Sequence, residues 1–264
     1  MLFSQYFPPN ASTRERAHSL PLLVFLHGFL GSHEDWLAST VLLDDYPRLL
    51  IDLPGFGRSK HLSCQSLDCC FSKINDVLIH PSYQGRNIVI VGYSMGGRLA
   101  LRGLVESVFA QLPLVGVVVE GAHLGLKDAQ ARHERERNDE QWASRFEQEP
   151  IEQVLSDWYQ QAVFSSLNDD QRQTLVDIRS DNLGQSIGAM LRLTSLAHQS
   201  YLLPSLHKQT VPIRYLCGEK DEKFKQLAVD SGLPYTLIQG AGHNVHHECP
   251  AQFASALGDI VETF

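Results

Sequence analysis

A serine set among glycines, an aspartate and a histidine, each following a short apolar run, are the residues of this chain best suited to chemistry. Gly92-Tyr93-Ser94-Met95-Gly96-Gly97 lies between NIVIVG (87–92) and the helix-like Arg98-Leu99-Ala100-Leu101. A G-x-S-x-G turned sharply from strand to helix exposes the serine hydroxyl near a helix N-terminus, where negative charge is favoured. Gly92 and Gly96 are expected to be glycine because a side chain at either position would strike neighbouring backbone. By itself the pattern also describes an ordinary strand-to-helix turn. Asp221, in Gly218-Glu219-Lys220-Asp221, and His243, in Gly240-Ala241-Gly242-His243-Asn244, follow two later apolar runs. The order Ser94, Asp221, His243 suits an acid that fixes a histidine tautomer and a histidine that takes the serine proton. Glu219 and Asp52 are the alternative acids, although Asp52, before Leu53-Pro54-Gly55, is expected to order that turn. In His27-Gly28-Phe29-Leu30-Gly31 the Phe29 amide is the expected partner of the Met95 amide in an oxyanion hole.

Six apolar runs position these groups: Pro21–His27, Arg48–Asp52, Asn87–Gly92, Val115–Glu120, Ile213–Cys217 and Tyr235–Ile238. They are continuous rather than alternating and are bounded by Gly and Pro, as strands buried on both faces are. Loops after such parallel strands reach one end of a sheet, which lets distant residues converge. Between the fourth and fifth runs the strand pattern disappears. Lys127–Glu149 is dense in charge, with Trp142 and Phe146 on one helical face. Ile151–Leu167 and Ile187–Leu203 read as helices, and Asn168 with Gln171 reads as an N-cap with a box-like partner. The expected fold class is therefore α/β, with a mostly parallel twisted sheet flanked by helices. Residues 1–123 and 209–264 would form the core, and 124–208 an inserted helical cap.

The chain has 264 residues and a formal charge of −8, with a sequence pI near 5.8. That charge argues against a nucleic-acid partner but allows an anionic substrate held by local arginines. The five cysteines, two of them adjacent and none in a CxxC pair, suit a reducing compartment. No apolar run approaches the roughly 20 residues that span a bilayer. The first residues, MLFSQYFPPNASTRER, lack the pattern of a signal peptide, so a cytoplasmic location is expected. His243-Asn244-Val245-His246-His247-Glu248 has HxxHHE spacing rather than HExxH, and no metal site is expected there. His246 and His247 should decorate the start of the last helix, and His33, Glu34 and Asp35 a loop and helix start.

HGFLG (27–31), DLPGFGRS (52–59), GYSMGG (92–97), GEKD (218–221) and GAGHN (240–244) resemble the α/β-hydrolase superfamily. GYSMGGRLA (92–100), VVVEGAHLGL (117–126), DWYQQAVFSSLNDDQRQTLVDIRSDN (157–182) and YLCGEKDEKF (215–224) are similar to one family within it. That family is the 2-succinyl-6-hydroxy-2,4-cyclohexadiene-1-carboxylate (SHCHC) synthases. The resemblance runs from about Leu22 to the C-terminus. It implies an α/β-hydrolase fold and a carbon–oxygen lyase of menaquinone (vitamin K2) biosynthesis. Such an enzyme eliminates pyruvate from 2-succinyl-5-enolpyruvyl-6-hydroxy-3-cyclohexene-1-carboxylate without a cofactor. It further implies that Ser94, deprotonated by His243, acts as a base on a ring carbon. The implied substrate is small and carries several carboxylates; the family's binding arginines correspond to Arg98, Arg135 and Arg179, and its other pocket positions to Tyr93 and Trp158.

From composition alone, Arg98 stands out, because a cation in the first turn of a helix opposes the dipole. A carboxylate to be captured would explain it. Arg135, among Arg132, Glu134, Glu136 and Arg137, reads as part of a solvated charged face, and Trp158 and Tyr159 read as core. No membrane insertion and a monomer or weak homo-oligomer are expected. A serine hydrolase of the same fold (a thioesterase or carbon–carbon bond hydrolase) is the alternative activity. A non-catalytic binding protein is a third reading, disfavoured because binding needs no Ser94–Asp221–His243 set.

Overall fold

The structure, a computed structural model, describes residues 1–13 and 19–264. Residues 14–18, and with them part of the N-terminal stretch read above for a leader, lie outside the described residues. In chain order the core begins with β1 (Ser4–Phe7), β2 (Leu22–Leu26), α1 (Leu37–Thr40), β3 (Arg48–Ile51) and α2 (Leu67–Leu78). It continues with β4 (Ile88–Tyr93), α3 (Met95–Val105) and β5 (Leu114–Glu120). A helical stretch follows: α4 (Ala129–Gln148), α5 (Ile151–Trp158), α6 (Asp169–Arg179), α7 (Gly184–Leu193) and α8 (Leu203–Leu206). The chain then returns through β6 (Ile213–Gly218), α9 (Glu222–Ser231), β7 (Tyr235–Ile238), α10 (Val245–Glu248) and α11 (Pro250–Val261).

Among the described residues seven strands form one sheet, in the order β1-β3-β2-β4-β5-β6-β7. All neighbours are parallel except β1, which pairs antiparallel with β3 at the edge. The continuous apolar runs have a direct structural cause. Alternate residues of β2 enter opposite cores, Leu22, Val24 and Leu26 on one face and Leu23 and Phe25 on the other. In β4, Ile88 and Ile90 part from Val89 and Val91 in the same way. Each such fully buried aliphatic or aromatic side chain contributes roughly 1.5–3 kcal/mol. The edge strand β1 (SQYF) escaped the sequence reading because it is short, mostly half-buried and antiparallel, and so lacks the continuous apolar signature.

The helical stretch differs in detail from the sequence expectation. The segment expected as one helix over 151–167 stops at Trp158 and resumes as a short 3₁₀ turn at Ala162–Phe164. The segment expected over 187–203 begins earlier, at Gly184, and stops at Leu193. Apolar periodicity locates a buried face, but it does not mark where a turn tightens. The cap of α6 does form: Asn168 Oδ1 accepts from Gln171 N at 2.8 Å, and Gln171 Oε1 accepts from Asn168 N at 2.9 Å. The polar helix α4 buries Asp139, Ala143 and Phe146, a single stripe facing inward. The loop after β3 joins this stretch: Lys60 pairs with Asp181 at 2.6 Å, and Ser186 donates to the Lys60 carbonyl at 2.8 Å.

Among the described residues no helix is long and apolar enough to cross a membrane.

Candidate active site

The elbow between β4 and α3 places Ser94 at φ 47° and ψ −104°, a conformation rare for any residue but glycine. The surrounding glycines make the turn possible. A Cβ on Gly92 would sit 2.6 Å from the Gly97 nitrogen, and one on Gly96 would run into the Leu26 carbonyl oxygen. The Ser94 amide donates to the Glu120 carbonyl at 2.8 Å, so the elbow is bonded to the end of β5. Strain held by such contacts is the usual way a reactive side chain is kept exposed.

His243 is held from several sides. Its Nδ1 lies 2.6 Å from Asp221 Oδ2, and both groups are buried. An ionised carboxylate only accepts, so the Nδ1 proton donates to Asp221 and Nε2 is left as the basic nitrogen. The other oxygen of Asp221 accepts from Phe224 N at 3.2 Å and caps α9. One carboxylate thus closes a helix and orients the imidazole, with the helix N-terminus favouring its charge. Phe224 and Tyr93 flank the ring at centroid distances of 4.6 and 5.3 Å. The Ser94 hydroxyl and the His243 ring make no direct hydrogen bond in this structure, although both line the same cavity. The hydrogen-bonded sequence expected across all three groups is therefore formed at one link only. The other link commonly tightens when substrate binds.

The alternative acids are otherwise engaged. Asp52 accepts from Arg58 N and from His33, ordering its turn; burial raises its pKa, but His33, His27 and these amides together hold it below the usual carboxylate range. Glu219 accepts from Gly240 N at 3.0 Å. The HxxHHE stretch does not gather its side chains around one point. His246, expected at a helix surface, is fully buried, pairing with Glu120 at 2.7 Å and stacking on Trp36 at 4.0 Å. Glu248 accepts from Gly242 N and Asn244 N. Among the described residues no group of three or more His, Cys, Asp or Glu side chains is arranged to hold a metal ion.

Gly121, at φ 56°, follows β5 and lies against the imidazole, and a Cβ there would lie 2.7 Å from His243 Cε1. Gly121→Ala is expected to shift the ring and lower kcat by about 10–100-fold, as displacements near 1 Å do. It should also cost about 1–3 kcal/mol through the positive φ. Steady-state kinetics and urea denaturation check both; unchanged kcat would show that the ring tolerates displacement.

A cavity of about 530 Å³ opens above the elbow, a volume suited to a small ligand. The residues expected to act in catalysis or to bind substrate all line it: Ser94, Asp221, His243, Phe29, Met95, Tyr93, Arg98, Arg135, Arg179 and Trp158. Neither the Phe29 amide nor the Met95 amide, the first of α3, makes a backbone hydrogen bond outside regular elements. One wall is aromatic, with Trp158 lying 5.1 Å from both Phe29 and Trp142 and 5.8 Å from Phe146.

The three arginines differ sharply. Arg179 is buried and paired with Asp35 at 2.6 Å, with the Tyr159 hydroxyl as a further acceptor. Burial alone would raise the Asp35 pKa, yet Arg179, His27 and His246 bring it below the ordinary value. The Arg179 Nε has no hydrogen-bond partner. Arg135 spends its Nε on both oxygens of Asp139, each at 2.8 Å, and Asp139 also accepts from Ser195 Oγ at 2.7 Å. Arg98 has only the Gln199 amide oxygen, at 3.3 Å, and no carboxylate within ion-pairing distance. Burial, then the nearby Arg135 charge, pushes its pKa down to about 9.

Sequence reasoning missed three polar residues around Arg98 and Arg135. His123 accepts from Gly125 N at 3.1 Å; burial, followed by Lys223, Arg98 and Arg135, pushes it down to about 4 and leaves it neutral. Lys223 is lowered by burial and by Arg135. Gln199 bridges Arg98 to the His123 carbonyl. His123 and Lys223 fall within stretches already quoted as similar to the synthases, while Gln199 had no sequence signal.

The comparisons with known proteins agree with this geometry. A model of the Alpha/beta hydrolase family matches residues 23–256. The chain is 44% identical over 254 residues to a 2-succinyl-6-hydroxy-2,4-cyclohexadiene-1-carboxylate synthase of Yersinia pseudotuberculosis serotype O:3, covering 96% of this chain and 92% of that one. It is 45% identical over 247 residues to the synthase of Yersinia pestis strain Pestoides F, covering 94% and 89%. Among solved structures, MenH from S. aureus superposes with a TM-score of 0.87 at 26% identity, over 100% and 99% of the two chains. A thermophilic esterase from Thermogutta terrifontis shares the fold, with a TM-score of 0.77 at 19% identity over 99% and 93%. With a strained serine elbow, an aspartate-held histidine and similarity along almost its whole length, this chain belongs to the alpha/beta hydrolase family and, within it, to the SHCHC synthases.

Proposed function

We propose that the chain is an SHCHC synthase, a carbon–oxygen lyase that eliminates pyruvate from 2-succinyl-5-enolpyruvyl-6-hydroxy-3-cyclohexene-1-carboxylate in menaquinone biosynthesis. The observation that carries this reading is Arg98, a half-buried guanidinium without a carboxylate partner, near Arg135 in the cavity of the elbow serine, which Lys223 also lines. A substrate bearing several carboxylates supplies the missing anions. A neutral ester does not.

The residues divide the chemistry as follows. His243 Nε2 accepts the Ser94 proton while Asp221 fixes the tautomer and stabilises the imidazolium. The Ser94 oxygen removes a ring proton, the electron pair forms a ring double bond, and the bond to the enolpyruvyl oxygen breaks. The leaving enolate takes up a proton and departs as pyruvate. The Phe29 and Met95 amides stabilise developing negative charge, an effect worth about 3–4 kcal/mol per donor in comparable sites. Residues 124–208 act as a cap that contributes Arg135, Trp158 and Arg179 and keeps water from the carbanion-like centre. The five thiols, all unpaired, fit a cytoplasmic enzyme.

The purified protein is expected to release pyruvate from the enolpyruvyl precursor well above the spontaneous rate and to yield SHCHC. Pyruvate release at the spontaneous rate, or an acylated Ser94 trapped by mass spectrometry, would reject the lyase reading.

A further inference from the structure

Three of the five cysteines meet outside the cavity, where the activity described above makes no use of them. Cys64 lies in the loop before α2, and Cys69 and Cys70 lie in the first turn of that helix. Ser66 caps the helix by accepting from Cys69 N at 3.1 Å, which curls the loop back over the turn. As a result the Cys69 thiol donates to the Cys64 sulfur at 3.3 Å. Cys70, fully buried, is a second hydrogen-bond partner of Cys64, and Lys73 one turn on adds a positive field. Two thiol donors and a cation favour the thiolate, and Cys64 is brought down to about 6. Burial instead pushes Cys217 up to about 11. Cys249, half-buried, has only the Gln239 carbonyl, 3.9 Å away.

We propose that Cys64 and Cys69 form a peroxide-oxidisable site whose product is an intramolecular disulfide. The Cys64 sulfur attacks the peroxide O–O bond, giving a sulfenic acid and water from hydrogen peroxide. The Cys69 sulfur then attacks the Cys64 sulfur, the S–O bond breaks, and a second water leaves with the Cys69 proton. Two thiols lose two electrons and two hydrogens, and one peroxide is reduced to two waters. The geometry selects the pair. The two sulfurs already touch and need to close by only about an ångström to reach bonding distance. Cys64 is itself mostly buried, so peroxide must approach it past the half-buried Cys69, whereas Cys70 is enclosed in the core.

The test treats the full chain with hydrogen peroxide, alkylates the remaining thiols and reads the tryptic peptide His61–Lys73, which contains all three cysteines. The expected result is a loss of about two mass units, reversed by dithiothreitol, with alkylation at Cys70 alone. Its formation should be at least about tenfold faster than oxidation of Cys249. Cys69→Ser should abolish the disulfide, and Cys70→Ala should retain it. Three alkylated cysteines after treatment, a disulfide that persists in Cys69→Ser, a link between two chains, or prior oxidation of Cys249 would each overturn the proposal.

Discussion

Ser94→Ala is expected to lower kcat for pyruvate release by about 10³–10⁴-fold or more while KM changes by less than about threefold. The oxygen removed is the proposed base, and nothing else on the elbow replaces it: Tyr93 is buried, with its pKa raised well above the ordinary value by burial and then by the Glu120 charge. Binding should survive, because the carboxylates are held by arginine side chains and not by the Ser94 hydroxyl. The fold should survive too, because the backbone at φ 47° is imposed by the surrounding turn, and alanine adopts it at about the same cost as serine. Thermal unfolding should therefore agree with the unsubstituted chain to within about 0.5 kcal/mol. A variant that kept more than a tenth of the rate would move the base elsewhere, with His243 the first alternative. Equal losses in kcat/KM and in binding would instead assign Ser94 to substrate contact.

Arg98→Met is expected to act on the opposite parameter. It should raise KM strongly and lower kcat/KM by about 10²–10³-fold, the usual consequence of deleting one member of a desolvated charge pair. Stability should move the other way. The folded-state pKa of Arg98, about 9, lies below that of the unfolded chain, so the folded state binds this proton more weakly. The resulting penalty is fully present below pH 9 and is relieved as the pH rises from there through the ordinary arginine pKa. Methionine of similar length removes it at neutral pH, and the ligand-free variant should gain about 1 kcal/mol, or about 2–4 °C for a chain of this size. Calorimetry with and without substrate, together with steady-state KM, checks both statements. A large fall in the melting temperature of ligand-free Arg98→Met would show that its bond to Gln199 is structural and that the charge is not held in reserve for substrate.

How far the site was legible in the sequence varies by residue. Ser94, Asp221 and His243 were legible because each follows a continuous apolar run; burial on both faces holds for β4 and β6, whereas β7, an edge strand with Tyr235 exposed, does not share it. Loops after parallel strands necessarily share an end of the sheet, so no long-range information was needed. The Asn168–Gln171 box was legible because capping is a contact between residues three apart. Arg98 was legible for a related reason, since a cation in a first turn is a local conflict. Arg135 and Arg179 were not. Arg135 among its charged neighbours describes a solvated face, Arg179 alone carries no signal, and only the resemblance to the synthases raised them. His246 was misread as a surface residue, because its partner Glu120 is 126 positions away and ends a strand that looks apolar.

The sequence by itself determined the order of the strands along the chain, the type of chemistry at their ends and the presence of a helical insertion, because periodicity and turn chemistry are properties of neighbouring residues. Tertiary structure alone decided how much charge each arginine has left for a ligand. Arg179 is matched by Asp35 from the other side of the cavity, Arg135 by Asp139 one turn away, and Arg98 by no acid. It also decided that Cys64 touches Cys69 and that the imidazole rests on Gly121. Charge compensation and desolvation depend on which distant groups arrive at a point in space, and only the folded chain brings them there.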